Sequence, residues 1–465
     1  MPTLSANHSD SSTPTIASAI FEWLLLFGLV FAAHRDLPDP TRLLGHLLGH
    51  SPSWAHLGLR PGIALIAGIG NLMLALHLFS VLSTGRLAER VRGLAVAWFV
   101  FALVVLPAAR DIEIRLFIDE TPGNQAPYRS LSHDGGVLQS EMAIRRLVSG
   151  QNLYGDHYGA PPMSRAVDSA PESWKSIGAP DNPAFHHLTY FPAAILGSVP
   201  FFLIGKAIGF YDQRIVYLLA AFLLAYLLGQ LVDAGPERRI VNMLVFLNPL
   251  LRPYLVAGRN DVLVLVPLSL FALALLRRKD RAAAIWLGVA VATKQFALFL
   301  VPFFLVERWR TFAEDRRRIA TSLGWLALVP LATCLPFVIW DAHAFLDDTL
   351  LWTARAGAGA YPLKWIGWGL SVLAYGLDIV EQPLGANPLG AVGAIAQVVA
   401  LAVGLHAIHS RPTLPRLLAV SAMMLTTVLL FARAYSMSYA ATPFFLLLLA
   451  VLIERKTASD PKIRL

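Results

Sequence analysis

The chain has 465 residues, of which 56% are hydrophobic and only 15% charged, with a formal net charge of +8. This composition excludes an ordinary soluble globular protein and places the chain in a bilayer. The positive charge does not indicate nucleic-acid binding, because the Lys and Arg residues stand at the ends of apolar runs, where membrane topology places them. A single cysteine, Cys334, excludes an intramolecular disulfide.

Apolar runs of roughly 17 to 22 residues recur along the chain, each long enough to cross ~30 Å of hydrocarbon as a helix. We therefore predict an all-α polytopic membrane protein. The candidate spans are 17–33, 61–83, 93–109, 212–232, 239–257, 261–277, 319–340, 388–409, 413–431 and 437–453.

Three further apolar runs do not fit a simple span. The run 281–306 is too long for one helix and too short for two, and Lys294 and Gln295 interrupt its centre. This pattern predicts a broken helix or a short hairpin. Segments 188–208 and 363–381 are predicted to enter one leaflet without crossing, because only then do the basic loops fall on one side. The positive-inside rule then places both termini in the cytoplasm.

With that topology, residues 110–187 form a long external loop, and loops of this length are usually functional or disordered. Segments 258–260 and 341–362 face the same side. Within the long loop, Ser132 or Asp134 can cap a helix that Gly150 can end. We expect this helix to lie on the membrane surface. Its apolar stripe consists of Val137, Ile144, Leu147 and Val148.

Asp134 is a candidate active-site carboxylate in this loop. Two glycines follow it, which leaves room for another molecule to approach the backbone closely. An Asp before a helix is also a common N-cap that requires no catalysis, so position alone leaves both interpretations open. Glu141, two helical turns later on the same side, is a rival carboxylate.

Two ionisable residues mark the ends or centres of later apolar runs. Asp261 follows Arg259 and Asn260 at the predicted outer mouth of a helix, where it is either functional or favoured by the helix dipole. Lys294 lies midway through an apolar run, and burying an ammonium costs at least several kcal/mol. It should therefore have an anionic partner or reach water by snorkelling.

Arginines and polar residues near the predicted outer face complete the candidate set. Arg259 and Arg355 carry planar guanidinium groups that suit phosphate oxygens, although each can also serve as a loop anchor. His187 and Tyr190, within PAFHHLTYFP, are predicted to lie at the same mouth. Adjacent histidines do not share a helix face and the chain lacks HExxH or paired CxxC motifs, so the sequence does not support a dedicated zinc site.

Three stretches taken together resemble a known family. They are HDGGVLQSEMAIRRLVSGQNLYGDHY, HHLTYFPAAILGSVPF and the segment from FLNPLLRPYLVAGRND to LFLVPFFLVERWR, which together cover roughly residues 130–310. Their order is similar to that of the GT-C superfamily of polytopic glycosyltransferases, most closely glycosyltransferase family 87, of the polyprenol-phosphate-mannose type. The resemblance implies a bundle of about 10 to 13 membrane helices with a large external loop bearing amphipathic helices.

The resemblance also implies site residues. The family's external-loop Asp before an amphipathic helix, with the Gly and Leu-Tyr that end it, matches Asp134, Gly150, Leu153 and Tyr154. The family's Tyr-x-Pro element matches Tyr190 and Pro192. Its Gly-x-Asn-Asp element matches Gly258, Asn260 and Asp261. Its glycine-containing helix followed by a lysine matches Gly288 and Lys294. Arg259 stands where Gln is commoner. Two helices precede the family's usual first helix here, and an assembly or stability role is the simplest interpretation.

The implied function is inverting transfer of mannose, or another hexose or pentose, from a polyprenyl-phosphate donor to an acceptor hydroxyl of a glycan or glycolipid. Asp134 would be the base, and Lys294 with Arg259 or Arg355 would hold the phosphate. We expect no obligatory metal, although Mg²⁺ or Mn²⁺ is an alternative if Asp134, Asp261 and Glu141 converge.

The expected location is the inner (plasma) membrane, with a multi-pass topology and the active site facing the periplasm or exterior. The predicted division is a tail with two additional helices (1–92), a catalytic module (93–310) and C-terminal helices with a tail (311–465). Two rivals from other classes remain open: a transporter or flippase of a polyprenyl-linked or anionic lipid, and a membrane scaffold without activity.

Overall fold

The computed structural model describes residues 16–33, 61–83, 85–120, 122–123, 135–155, 157–165, 175, 181–352, 369–370, 389–433 and 435–459. Every regular element in these ranges is helical. Four helices are long and apolar enough to cross a membrane, namely Arg86–Phe117, Arg316–Leu351, Gly390–Ser410 and Met437–Ser459. Six shorter apolar helices accompany them within the same ranges. The predicted all-α polytopic fold is confirmed.

The helices follow the apolar pattern of the sequence. In chain order they are α1 (Ile16–Ala33), α2 (Pro61–Val81), α3 (Arg86–Val100 and Leu106–Ile114, with π-helical turns Phe101–Val105 and Arg115–Asp119), α4 (Gly135–Val148), α5 (Pro192–Leu196), α6 (Val199–Ile208), α7 (Arg214–Gly229), α8 (Pro236–Phe246), α9 (Arg252–Ala257), α10 (Val262–Leu276), α11 (Asp280–Thr293), α12 (Val301–Thr311), α13 (Arg316–Leu346), α14 (Gly390–Ser410), α15 (Leu414–Leu430) and α16 (Ala441–Ser459). Short 3-10 turns occupy Met163–Arg165, Pro183–Phe185, Gln295–Leu300 and Met437–Ala440, and a π-helical turn, Asp347–Leu351, follows α13.

One compact unit comprises residues 1–110 and 232–252. In it, α2 packs on α1 and α3, and α8 packs on α1 and α3. Arg239 of α8 donates hydrogen bonds to Glu22 of α1 and to Glu89 of α3. Glu22 also bonds His77 of α2 at 3.2 Å. Charge pairs therefore fasten the two additional N-terminal helices within this unit.

The second unit comprises residues 111–231 and 253–465. Helix α11 packs between α10 and α13, α7 packs on α10, and α15 packs between α14 and α16. The short helix α5 contacts α4, α11 and α13. At Gly288 of α11, an added Cβ would lie 2.5 Å from the Leu326 carbonyl oxygen, so glycine allows α11 and α13 to approach closely.

The structure corrects two predicted boundaries. Helix α3 continues to Asp119 rather than ending at 109. Four charged residues beyond 109 are buried, and Arg115 among them pairs with Glu141 and Asp212; the four are Asp111, Glu113, Arg115 and Asp119. The predicted span 239–257 is two helices, α8 and α9, separated by a turn around Asn248. The Asn248 side chain accepts a hydrogen bond from the Leu250 amide at 2.8 Å, which stabilises that turn.

Two other predictions are confirmed. The run 281–306 is a broken helix, with an extended Lys294 (φ −153°, ψ 131°) between α11 and the turn Gln295–Leu300. Helix α4 forms where the external loop predicts it, and Gly150 follows it with φ +72°. Val137 and Ile144 of its apolar stripe are fully buried against protein, whereas Val148 at its end is 43% exposed. Segment 363–381 lies almost wholly outside the described residues.

Candidate active site

The break after α11 brings Lys294 to Asp261. The Lys294 ammonium donates a hydrogen bond to the Asp261 carboxylate, and it lies 3.3 Å from the Asn260 amide oxygen. Both charged side chains are nearly buried, at 11% and 2% exposed. Asp261 makes no side-chain cap to α10, so its carboxylate serves Lys294 rather than the helix end. The anionic partner that a buried lysine requires is present.

Aromatic rings enclose the same ammonium. The Lys294 nitrogen lies 5.1 Å from the ring centres of both Phe296 and Tyr439. These two rings pack edge to face at 5.2 Å. An ammonium over aromatic faces is stabilised by the ring quadrupole without losing its hydrogen-bond donors. Lys has three N–H donors, of which two face Asp261 and Asn260. Within the described ranges of the chain the third donor is left for a ligand.

Arg259 lies against the turn that carries Tyr439. Its guanidinium donates hydrogen bonds to the hydroxyl groups of Ser436 and Ser438, the second at 3.3 Å. It also stacks over the Tyr254 ring at 4.6 Å. Two cationic side chains, Lys294 and Arg259, thus lie at the turn that carries Ser436, Ser438 and Tyr439. Cationic side chains of this kind suit an anionic ligand.

A buried ion network holds α4 in place. Arg115, with no exposed side-chain surface, donates to Glu141 of α4 at 2.7 Å and to Asp212 at 2.8 Å. Arg214, at the start of α7, donates to the same Asp212 at 2.9 Å. The Gln213 amide donates to Glu141 at 2.9 Å. These bonds join α4 to the end of α3 and to the start of α7.

The electrostatics of this network fix its charge state. Burial alone would raise the pKa of Asp212, which precedes α7, but the charges and hydrogen bonds of Arg214 and Arg115 outweigh it and hold that pKa well below its usual value. Both oxygens of Glu141 accept hydrogen bonds, from Arg115, Arg145 and the Gln213 amide. Glu141 therefore supports α4 rather than facing a ligand.

The first turn of α4 lies against the turn that precedes Asp261. Gly258 has φ +89°, and an added Cβ would lie 2.1 Å from Cγ2 of Val137 and 2.7 Å from Cγ of Arg214. Only glycine permits this approach, because both the backbone angle and the space exclude a side chain. The start of α4 is thereby fixed beside the segment that carries Asn260 and Asp261.

His187 lies beside a second carboxylate group. Its Nδ1 bonds the Asp348 carboxylate at 2.9 Å, and its ring stacks on Trp352 with centres 4.6 Å apart. The Gln139 side chain of α4 donates to the His187 carbonyl oxygen at 2.9 Å. Gln295, next to Lys294, lies 3.3 Å from the carbonyl oxygens of Thr189 and Thr349. The His187 segment therefore adjoins the helix break.

Tyr190 contributes through its backbone. Its carbonyl oxygen accepts a hydrogen bond from the Tyr154 hydroxyl at 2.9 Å. Burial raises the pKa of Tyr154 well above its ordinary value, so the phenol stays neutral and donates. The Gly-then-Leu-Tyr element after α4 thus anchors the segment that carries His187.

The predicted site residues divide into three groups. Lys294, Asp261 and Asn260 come together, with Arg259 reaching the same turn as Lys294. His187 and Tyr190 lie across the helix break, while Glu141 belongs to the buried network. Asp134 and Arg355 lie outside the described residues.

The sequence analysis missed Arg115, Asp212 and Asp348, and it noted Gln295 only as an interruption of an apolar run. Charged residues beside apolar runs, in the stretches DIEIR and YDQR, are the signal that could have indicated Arg115 and Asp212.

Two groups of described side chains bring three donor atoms within 4.8 Å, a spacing that a divalent ion can use. The groups are His157, Asp181 and His186, and His187, Asp347 and Asp348. Spacing alone does not make a metal site, and hydrogen bonds already join His186 to Asp181 and His187 to Asp348. Of the carboxylates predicted to converge on a metal, Asp261 bonds Lys294 whereas Glu141 bonds Arg115.

The model of glycosyltransferase family 87 matches residues 188–432, more than half of the chain. No curated protein matches the chain. The matched span contains Asp261, Lys294 and Asp348 and begins directly after His187, whereas α4 precedes it.

The helical membrane fold and this match define a glycosyltransferase of the GT-C type. The chain belongs to glycosyltransferase family 87. It therefore acts with a sugar donor, an acceptor and a bilayer around its helices.

Proposed function

We propose that this glycosyltransferase moves a sugar, mannose or another hexose or pentose, from a polyprenyl-phosphate donor to an acceptor hydroxyl of a glycan or glycolipid. The observation that carries the proposal is the Lys294–Asp261 pair at the break between α11 and the turn Gln295–Leu300, beside the first turn of α4. A cation held at such a break, with one donor to spare, suits the phosphate of a ligand whose tail lies in the bilayer. A lipid donor gives a reason for building the site from membrane helices.

In the proposed mechanism Asp134 accepts the proton of the acceptor hydroxyl while that oxygen attacks the anomeric carbon. The bond from this carbon to the phosphate oxygen breaks on the opposite face, which inverts the configuration. The donor leaves as polyprenyl phosphate, and Lys294 with Arg259 or Arg355 stabilises its growing negative charge. Asp134 precedes α4 by one residue, and α4 is held by the Arg115 network.

The other residues act by position. Asn260 and Asp261 orient the ammonium of Lys294, and Glu141 fixes α4. His187 and Tyr190 line the opposite side of the helix break. We propose that the site faces the periplasm or exterior from the inner membrane, with both termini cytoplasmic. In support, Gly155 and Asp348, which lie in two segments predicted to share the outer side, contact each other.

We propose that no metal is obligatory. The cationic side chains of Lys294 and Arg259 supply the electrostatic stabilisation that a divalent ion would otherwise provide. Asp261 and Glu141 are each neutralised by a cationic side chain, which supports this assignment.

The test is sugar transfer in detergent micelles, where no second compartment exists. Purified protein is incubated with radiolabelled polyprenyl-phosphate-mannose or polyprenyl-phosphate-arabinose and a glycolipid extract. We expect glycosylated acceptor and free polyprenyl phosphate in equal amounts, with an inverted anomeric configuration by NMR. A transporter or flippase would leave the sugar–phosphate bond intact, and that outcome with every donor would refute the proposal.

A further inference from the structure

The carboxylate of Asp348 is almost fully buried, at 2% exposed, and accepts three hydrogen bonds. The donors are the His187 ring at 2.9 Å, the Gly155 amide at 3.0 Å and the Leu188 amide at 3.3 Å. Two backbone donors fix the orientation of this carboxylate. Asp348 therefore holds the Nδ1 side of the His187 ring in a fixed position.

This arrangement leaves the other ring nitrogen for a ligand. The His187 side chain is 14% exposed, and within the described part of the chain Nε2 bonds to no protein atom. An imidazole held at Nδ1 by a carboxylate, with Nε2 accessible, is the arrangement used by histidines that transfer protons. The carbonyl oxygen is fixed as well, through Gln139.

Two carboxylates and an indole surround the His187 ring. Asp347 lies 3.8 Å from Nδ1, in addition to Asp348, and the indole of Trp352 stacks on the ring face. Asp348 also interacts electrostatically with Tyr154 and Tyr158 on the preceding loop, whose pKa values burial raises, so both phenols are neutral. Gln139 and Gln295, from the other elements packed here, are uncharged.

The ring adjoins the break that carries Lys294. Gln295 lies 3.3 Å from the carbonyl oxygens of Thr189, two residues after His187, and Thr349, one residue after Asp348. Lys294 immediately precedes Gln295 and turns to Asp261. The segments that carry His187 and Asp348 thus adjoin the break that carries Lys294.

We infer that His187, held by Asp348 and Trp352, is a second acid–base residue that donates a proton from Nε2 to the departing phosphate of the lipid-linked donor. The inference rests on the proposed glycosyl transfer. As the bond between the anomeric carbon and the phosphate oxygen breaks, the phosphodiester monoanion gains a second negative charge. The Nε2 proton moves to that oxygen and leaves a neutral imidazole and the monoanion of polyprenyl phosphate. The acceptor proton, taken by Asp134, returns through water to His187, so protons balance over a cycle.

The test compares His187→Gln with His186→Gln. The neighbouring His186 is a matched control because it also bonds an aspartate, Asp181, but its side chain is 46% exposed. Transfer from polyprenyl-phosphate-mannose or polyprenyl-phosphate-arabinose is measured from pH 5 to 10. We expect His187→Gln to lower kcat by about 10²-fold and to abolish the alkaline limb of the pH profile, since proton donation is worth about 10² to 10⁴. His186→Gln should match the parent.

A second measurement does not need turnover. Binding of polyprenyl phosphate to the full-length protein in detergent should weaken about tenfold in His187→Gln and stay unchanged in His186→Gln, corresponding to one lost charge-assisted hydrogen bond. Equal binding, turnover within about twofold, or a loss that leaves the alkaline limb in place would each overturn the role of His187. If the parent protein binds polyprenyl phosphate through His187 yet transfers no sugar, the phosphate contact stands and the proposed glycosyl transfer fails.

Discussion

The ammonium of Lys294 bonds the carboxylate of Asp261 where the helix α11 ends and the chain becomes extended. The lysine can reach its partner only because α11 stops there: the extended residue directs its side chain toward the start of α10. An unbroken helix would have left a charged group among apolar neighbours, at a cost of several kcal/mol. The helix break at Lys294, its ion pair with Asp261 and its third N–H donor therefore depend on one another.

Removing one member of this pair should harm both folding and catalysis. Lys294→Ala leaves Asp261 buried without its cation, and breaking such a pair costs about 3 to 5 kcal/mol. We expect a lower unfolding temperature in detergent and almost no sugar transfer. The double variant with Asp261→Asn should recover most of the stability but not the transfer. Recovery of transfer in the double variant would show that Lys294 does not hold the phosphate.

Gly258 should be irreplaceable for a steric reason. Gly258→Ala places a methyl group 2.1 Å from Val137 in a backbone conformation with φ +89°. Gly209→Ala is the matched control, because its φ of +88° is nearly the same and its site is open. The control should lose only the strain of the left-handed conformation, about 1 to 2 kcal/mol.

Thermal unfolding and transfer rates of the two variants check this account. Gly258→Ala should lose clearly more stability than Gly209→Ala and should lose transfer, since α4 must shift away from the Asp261 turn. Equal effects of the two substitutions would mean that the contact with α4 is unimportant.

The Asp212 network should make stability sensitive to acid. The pKa of Asp212 is lower in the folded than in the unfolded protein, where it is about 3.9. The contribution of Asp212 to the free energy of unfolding is therefore complete above that unfolded pKa and is lost as the pH falls toward the folded pKa. We expect the unfolding temperature to decrease as the pH drops below about 4, and we expect a weaker pH dependence of the unfolding temperature in Asp212→Asn.

The same substitution should destabilise the protein at neutral pH, by about 3 to 5 kcal/mol, because Arg115 and Arg214 lose their shared anion. Asp181→Asn, at an exposed pair with His186, is the control and should change little. An Asp212→Asn protein as stable as the parent at pH 7 would contradict the role assigned to the network.

Chelation should leave turnover intact. If Lys294 and Arg259 provide the electrostatic stabilisation of the departing phosphate, treatment with EDTA followed by gel filtration should retain the parent rate. The measurement is sugar transfer before and after treatment, with Mg²⁺ and Mn²⁺ restored separately. A rate that disappears with EDTA and returns with either ion would require a metal in the mechanism.

Hydrophobic periodicity was sufficient to predict most helices, the break at Lys294 and the helix after the external Gly-Gly. Periodicity failed at Arg115, where a charged stretch indicates a loop but the chain is helical. The buried partners of Arg115, Glu141 and Asp212, are distant in sequence, so the sequence pattern does not reveal them. It also failed at Asn248, where a turn divides an otherwise apolar run. The length of an apolar run indicates how much of the chain is buried, whereas a turn such as that at Asn248 depends on local side-chain hydrogen bonds.

The candidate site shows the same division. The need for a partner at Lys294 followed from the cost of a buried ammonium, and Asp261 was already a candidate. The assignment of Glu141 to structure could not be predicted, because helix periodicity gives the face of a side chain but not the cation opposite it. The link from Asp348 to His187 joins residues 161 positions apart, which spacing does not reveal.

In the proposed reaction Asp134 is the base of a lipid-phosphate-dependent glycosyl transfer. The most direct measurement is the turnover of Asp134→Asn in detergent with polyprenyl-phosphate-mannose or polyprenyl-phosphate-arabinose, alongside unfolding temperature and donor binding. Asp181→Asn, an exposed carboxylate of the same predicted external loop, is the control. We predict a fall in kcat of about 10²- to 10⁴-fold with stability and donor binding preserved. Unchanged turnover in Asp134→Asn would contradict the account.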